Sequence, residues 1–139
     1  MIDHLTRTVR DAETSVAFFT RALKPLGYGV TMRFAEYVGF GTKKKPYFWV
    51  KPGEVPTTPM HLAVVAPSRG AVDHFYAEAL AAGAQDDGPP GLRPQYHRHY
   101  YAAFVIDVDG HQLEAVCHTP PPSKRVRART AKKARRRRK

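Results

Sequence analysis

Met60-His61-Leu62-Ala63-Val64-Val65-Ala66 reads as a short strand, and it repeats, 57 residues on, the pattern of Ile2-Asp3-His4-Leu5-Thr6-Arg7-Thr8-Val9. Asp11 stands seven residues after His4, and Ser68 seven after His61. Both side chains can accept from the free amides of a first helical turn, so each is a helix N-cap. Phe18-Phe19 and Phe75-Tyr76 follow at equal offsets, as do Ala22-Leu23 and Ala79-Leu80. Gly27 and Gly83 stop the two helices within one residue of register. Correspondences held in one register over this length mark an internal duplication.

Each copy goes on in the same order. Val16, Phe19, Leu23 and Leu26 make the apolar face of the first helix, and Val72, Phe75, Ala79 and Leu80 that of the second. Strands are expected at about residues 29–34, 37–41 and 47–50, with Lys43-Lys44-Lys45-Pro46 as an exposed turn. In the second copy Pro89, Pro90 and Pro94 interrupt residues 86–94, leaving that strand poorly defined. Residues 101–106 and 112–118 follow, joined through Val108-Asp109-Gly110, a tight hairpin with positive φ expected at Asp-Gly. The fold class is therefore α+β, built from two βαβββ repeats over about residues 1–52 and 59–118.

Composition sets the outer bounds. With 139 residues, 42% of them hydrophobic, the chain can bury one core but not two ordinary domains. No apolar run reaches the roughly 18 residues of a membrane span. The N-terminal residues lack the charge-then-apolar order of a secretory leader, so cytoplasm is the expectation. The single Cys117 excludes an intrachain disulfide and any multi-cysteine zinc site. The net charge of +11 is local: residues 124–139 hold 11 of the 23 basic residues and no acid, leaving 12 basic against 12 acidic elsewhere. A neutral body of residues 1–118 thus precedes a Pro-rich linker and a basic tail, residues 119–139, expected to be disordered. Residues 124–139 could hold a nucleic acid or another polyanion through counterion release, without base reading, since no aromatic is interleaved. A merely solvated extension is the plainer alternative.

Alternation along strands assigns the faces. His61 shares a face with Ala63 and Val65; Gln112, Glu114, Val116 and His118 share one on the closing strand. Glu114 stands among Leu113, Ala115 and Val116, where an unpaired charge is costly, so a cation, a histidine or a metal should compensate it. Cys117 faces the core, His74 the surface, and His111, after its turn, is expected exposed. Tyr96-His97-Arg98-His99-Tyr100-Tyr101 is either a solvated loop or a wall supplying donors and an acid/base to a ligand. From it Tyr96 and Tyr101 are candidate ligand contacts, and His97 and His99 candidate catalytic groups beside Glu114. Trp49, Tyr47, Phe34 and Phe40 either line a cavity for a flat or apolar compound or pack in the core.

The paired βαβββ units, with His4 and His61 opening equivalent strands and Asp107-Val108-Asp109-Gly110-His111-Gln112-Leu113-Glu114 closing the second, resemble the vicinal oxygen chelate superfamily. That family includes glyoxalase I, bleomycin-resistance proteins and extradiol dioxygenases. The resemblance covers residues 1–118 and implies a half-barrel of two repeats around a concave site. It implies metal ligands at the positions of His4, Trp49, His61 and Glu114. Trp49 departs from the pattern, since an indole can neither ligate nor act as a base. His4, His61 and Glu114 remain as a ligand set suited to divalent Fe, Mn, Zn or Ni. Taken singly, each histidine also reads as an ordinary hydrogen-bonded residue at a strand start.

Three functions follow as expectations. The first is a divalent-metal-dependent lyase or isomerase, or else a dioxygenase, acting on a small oxygenated metabolite. The second is a metal-free protein that sequesters a small molecule, for which Trp49 would serve as ligand contact. The third is a small-molecule domain tethered to nucleic acid by its tail. A homodimer is also expected.

Overall fold

The computed structural model describes residues 2–121. Of the linker and tail expected to be disordered, residues 122–139 lie outside the described residues.

The first repeat runs β1 (Leu5–Val9), α1 (Ala12–Leu23), β2 (Gly29–Phe34), β3 (Tyr37–Thr42) and β4 (Lys45–Pro52). The second runs β5 (His61–Val65), α2 (Arg69–Ala81), β6 (Gln85–Leu92), β7 (Tyr101–Ile106) and β8 (Gln112–Cys117). Each repeat folds into a four-stranded mixed sheet, in the orders β1-β4-β3-β2 and β5-β8-β7-β6. The first strand of each lies parallel to the last, and the other pairings are antiparallel. The duplication read from the sequence is thus a duplication of topology.

Both helices start at the expected caps. Asp11 Oδ1 accepts from Thr14 N at 2.7 Å, and Ser68 Oγ from Ala71 N at 3.1 Å; a cap of this kind is worth about 1 kcal/mol. A 3-10 turn over Lys24–Leu26 prolongs α1 until Gly27, at φ 85°, ends it. The buried helix faces pack on one side of each sheet. Phe19 meets Phe18, Phe40 and Phe48 with ring centroids 4.9–5.8 Å apart, while Val72, Phe75 and Ala79 fill the second layer. Phe40 is therefore core, and with Tyr47 it also lines a cavity of about 500 Å³.

Four local expectations are corrected. The β3–β4 turn is Lys43-Lys44 alone, with Lys43 at φ 55°; Lys45 and Pro46 already belong to β4. The Pro-containing segment does form a strand, β6, because it is an edge strand and shifts register twice, which tolerates missing donors. In the β7–β8 turn only Gly110 takes positive φ, at 87°. Asp109 instead turns its carboxylate to Arg10 N and Ser15 Oγ, both at 3.1 Å, tying the turn to the first repeat. His111 is 2% exposed rather than solvated, with Nδ1 accepting from Met60 N at 3.1 Å. Among the described residues no helix is long and apolar enough to cross a membrane.

Candidate functional site

The site grows from the alternation of β8. Leu113, Ala115 and Cys117 point toward α2 and join the main core. Glu114 therefore points to the opposite face, where Ala63 and Phe104 flank it in register. It is only 2% exposed. A carboxylate so placed needs strong partners, and it has two. His61 Nε2 donates to Oε2 at 2.8 Å, and the Tyr100 hydroxyl donates to Oε1 at 2.5 Å. His61 stays half exposed, so the buried carboxylate communicates with solvent through an imidazole. Burial, then the Glu114 bond and charge, push the Tyr100 phenol up to about 12. Tyr100 is thus a held proton donor at neutral pH.

The segment between β6 and β7 positions Tyr100. Tyr96 N donates to Arg93 O and Tyr100 N to His97 O, both at 3.0 Å, which folds the loop into successive turns. His97 Nδ1 accepts from His99 N at 3.1 Å. The proton of a neutral His97 therefore sits on Nε2, which lies 2.9 Å from His118 Nδ1. The two imidazoles stack with centroids 5.1 Å apart, and the Tyr100 ring stands edge-on to both. Tyr96 packs on Tyr100 at 4.8 Å while remaining 61% exposed. Beneath this loop Ala102 and Val116 are buried outside the main core.

Among the expected residues, then, the structure joins His61 to Glu114 and sets Tyr96 and His97 one ring away, through Tyr100. His99 contributes its backbone to this arrangement, and burial, then the charge of Arg98, hold its imidazole below the usual histidine range. Tyr101 goes elsewhere. Its hydroxyl donates to Asp73 Oδ1 of α2 at 2.7 Å with Arg69 over its ring, on the helix-covered face. Two members were not nominated from sequence, Tyr100 and His118. Parity was the available signal: Tyr100 alternates with Ala102 and Phe104, and His118 with Glu114 and Val116.

Trp49 lies in β4 of the other sheet, and His4 stands just before β1 rather than opening it, since that strand starts at Leu5. His4 Nδ1 donates to Asp3 Oδ1 at 2.8 Å, and Asp3 also binds the Lys45 ammonium. Both His4 and Trp49 border a cavity of about 530 Å³ on the first sheet. Among the described residues no group of three His, Cys, Asp or Glu side chains is placed to hold a metal. His61 Nε2 and Glu114 Oε2, 2.8 Å apart, have the spacing of two neighbouring ligand atoms at bonds of about 2.0–2.2 Å. One chain therefore offers two positions of such a site, and His4 does not join them.

A family model described as Glyoxalase/Bleomycin resistance protein/Dioxygenase superfamily matches residues 1–115. A glyoxalase/bleomycin resistance protein from Albidiferax ferrireducens T118 is 26% identical, with TM-score 0.74 over 83% of this chain and 97% of that one. A family enzyme from Burkholderia phytofirmans PsJN, 18% identical, superposes with TM-score 0.66 over 85% of this chain and 98% of that one. A mutant of the fosfomycin resistance protein FosX of Listeria monocytogenes, complexed with Mn(II) and 1S,2S-dihydroxypropylphosphonic acid, is 18% identical. It shares the fold with TM-score 0.63 over 84% of this chain and 88% of that one. A search of curated proteins finds no match.

Proposed function

The chain belongs to the glyoxalase/bleomycin resistance protein/dioxygenase superfamily, and from that premise we propose that it is a divalent-metal-dependent lyase or isomerase acting on a small oxygenated metabolite. The observation that carries this is Glu114, a buried carboxylate on the helix-free face, bonded to an imidazole and a phenol. Mn(II) in the FosX structure supports divalent metal use within this fold. His61 and Glu114 would hold the ion, and His4 of a second copy would complete the set, making the working unit a homodimer. When bound, the ion supplies Lewis acidity toward a substrate oxygen.

The chain's own groups do the rest. Tyr100 keeps its proton on Oη, fixes the direction of the Glu114 carboxylate, and covers it from water. His97, with its proton on Nε2 and relayed to His118, is the acid/base candidate at the loop edge; His99 stands beside it. Tyr96 and Trp49 are proposed ligand contacts. The domain proper is taken as residues 1–118, its location as cytoplasmic, and residues 124–139 as a polyanion-binding extension.

Metal content of protein never exposed to a metal-charged resin tests the reading. We expect about one divalent ion per chain, lost in Glu114→Gln and in His4→Ala. Mixed and reannealed, those two variants should regain about a quarter of the wild-type metal, because only a mixed dimer carries one intact set. A second reading, metal-free sequestration of a small molecule, is supported by Glu114 having both oxygens bonded within the chain. Protein that takes up no Mn, Fe, Zn or Ni on titration would decide for it.

A further inference from the structure

Strand direction sorts charge between the two ends of the second sheet. β5 runs parallel to β8, β7 antiparallel to β8, and β6 antiparallel to β7. Leu92, Tyr101 and Cys117 therefore stand in one row, one residue beyond the pairing of Val65 with Val116. The start of α2 at Arg69, the segment of residues 93–100 and the chain from His118 onward all gather at that end. Asp86, Asp87, Asp107 and Asp109 lie toward the opposite end. From Gly88 to Ile106, and from Ala115 to Lys139, the sequence has no acid at all. On α2, Asp73 is occupied by the Tyr101 hydroxyl at 2.7 Å.

The cations of this end are not all free. Arg93 is spent within the chain, donating from Nη2 to Pro89 O at 2.8 Å and lying over Phe104. Arg69 and Arg98 differ: neither enters an ion pair among the described residues. Arg69 lies over the Tyr101 ring, and its Nε has no hydrogen-bond partner among the described residues. The two charges meet around His99. After burial, Arg98, Arg69 and then His97 hold that imidazole below the usual histidine range.

Rings stand at the same end. Tyr96 packs against Tyr100 yet is 61% exposed, and the exposed imidazoles of His97 and His118 lie within 26° of parallel. Past His118, Pro120 and Pro121 border a cavity of about 550 Å³ together with Arg69. The chain thus passes Arg69 before reaching the 11 cationic groups of residues 124–139, a segment with no aromatic residue of its own.

We infer that this end of the second sheet is a contact surface for single-stranded nucleic acid, with a base stacked on Tyr96, phosphates at Arg69 and Arg98, and the strand continuing along residues 124–139. A basic segment alone favours the duplex, whose charge density is higher. Exposed rings favour single strands, because every unpaired base offers a face to stack. The basic segment supplies attraction, and the folded end supplies the preference. The inference rests on the reading of residues 124–139 as a polyanion-binding extension and needs neither the metal nor Glu114.

The test is fluorescence anisotropy of the full chain, in EDTA, with a labelled oligothymidylate of about 20 nucleotides, an abasic strand of equal length and a duplex of equal length. The thymidylate should bind about tenfold more tightly than the abasic strand, and more tightly than the duplex. Tyr96→Ala should abolish that lead, and Tyr96→Phe, which keeps the ring, should retain it. Arg98→Gln and Arg69→Gln should each lower the salt slope on thymidylate by about 0.7. Equal binding of the thymidylate and abasic strands, a lead that survives Tyr96→Ala, or a slope indifferent to both arginine variants overturns the inference. Duplex binding with no lead for thymidylate overturns it while keeping the polyanion reading of residues 124–139; failure of all three probes to bind overturns both.

Discussion

Arg7 of the first strand and Asp107 at the start of the β7–β8 turn form an ion pair at 2.7 Å, with side chains 3% and 0% exposed. The approach misses hydrogen-bond alignment for these two atoms, so attraction between charges holds them. The guanidinium also lies over Phe19 and Phe48, at 5.1 and 5.6 Å. Asp107 Oδ1 meanwhile accepts from the backbone of Asp109 and His111. The pair joins one repeat to the other inside the core.

Breaking this pair should be severe. Removing one partner strands a buried charge, so Asp107→Ala or Arg7→Met should cost about 3–5 kcal/mol. The double variant should be less destabilised than the sum of the singles, because it strands no charge. Urea midpoints at unchanged m-values measure this; additive losses would mean the charges are not coupled.

Tyr100→Phe removes one of two donors to a buried carboxylate and should cost about 1–2 kcal/mol. The pH dependence has a definite sign. Tyr100 titrates at about 12 in the fold, above its ordinary 10. Its contribution is therefore complete below pH 10 and is lost as pH rises through about 12. In EDTA, absorbance at 295 nm should show a late-ionising tyrosine that Tyr100→Phe deletes. Its persistence in the variant would assign the late titration to another tyrosine.

Gly41→Ala should damage the fold more than Gly110→Ala. A Cβ on Gly41 would stand 1.9 Å from Lys45 O, a backbone atom that cannot swing away. At Gly110 nothing lies within 4 Å and only the φ of 87° is strained, a cost of about 1 kcal/mol. Thermal unfolding of the two variants gives the order directly.

A chain ending at Thr119 should keep its Tm within a few degrees and lose its affinity for DNA. In the full chain, with 11 cationic groups in residues 124–139, binding should fall by about 10³-fold or more between 50 and 200 mM salt. Sequence preference that survives moderate salt would contradict a purely electrostatic contact.

The repeat, its caps and its face assignments were legible without coordinates. They depend on period and on local backbone chemistry: Asp11 and Ser68 cap their helices whatever lies beyond them, and alternation puts Glu114 opposite Cys117 on any straight strand. The identity of the partners was not legible. Asp107 and Asp109 read as turn residues, yet their carboxylates hold the two repeats together, because the turn is driven against β1 and α1. His111 is buried within its own repeat, where Nδ1 accepts from Met60 N. Tyr100 reads as loop, and only the fold of residues 93–100 over β8 delivers its hydroxyl to Glu114. His4 and His61 occupy equivalent places in the repeat, but equivalence in two copies does not bring them together within one chain. Local sequence determined what each element is and which way its side chains face; the packing of one repeat on the other decided which charges meet, since a buried charge takes the partner that tertiary contact provides.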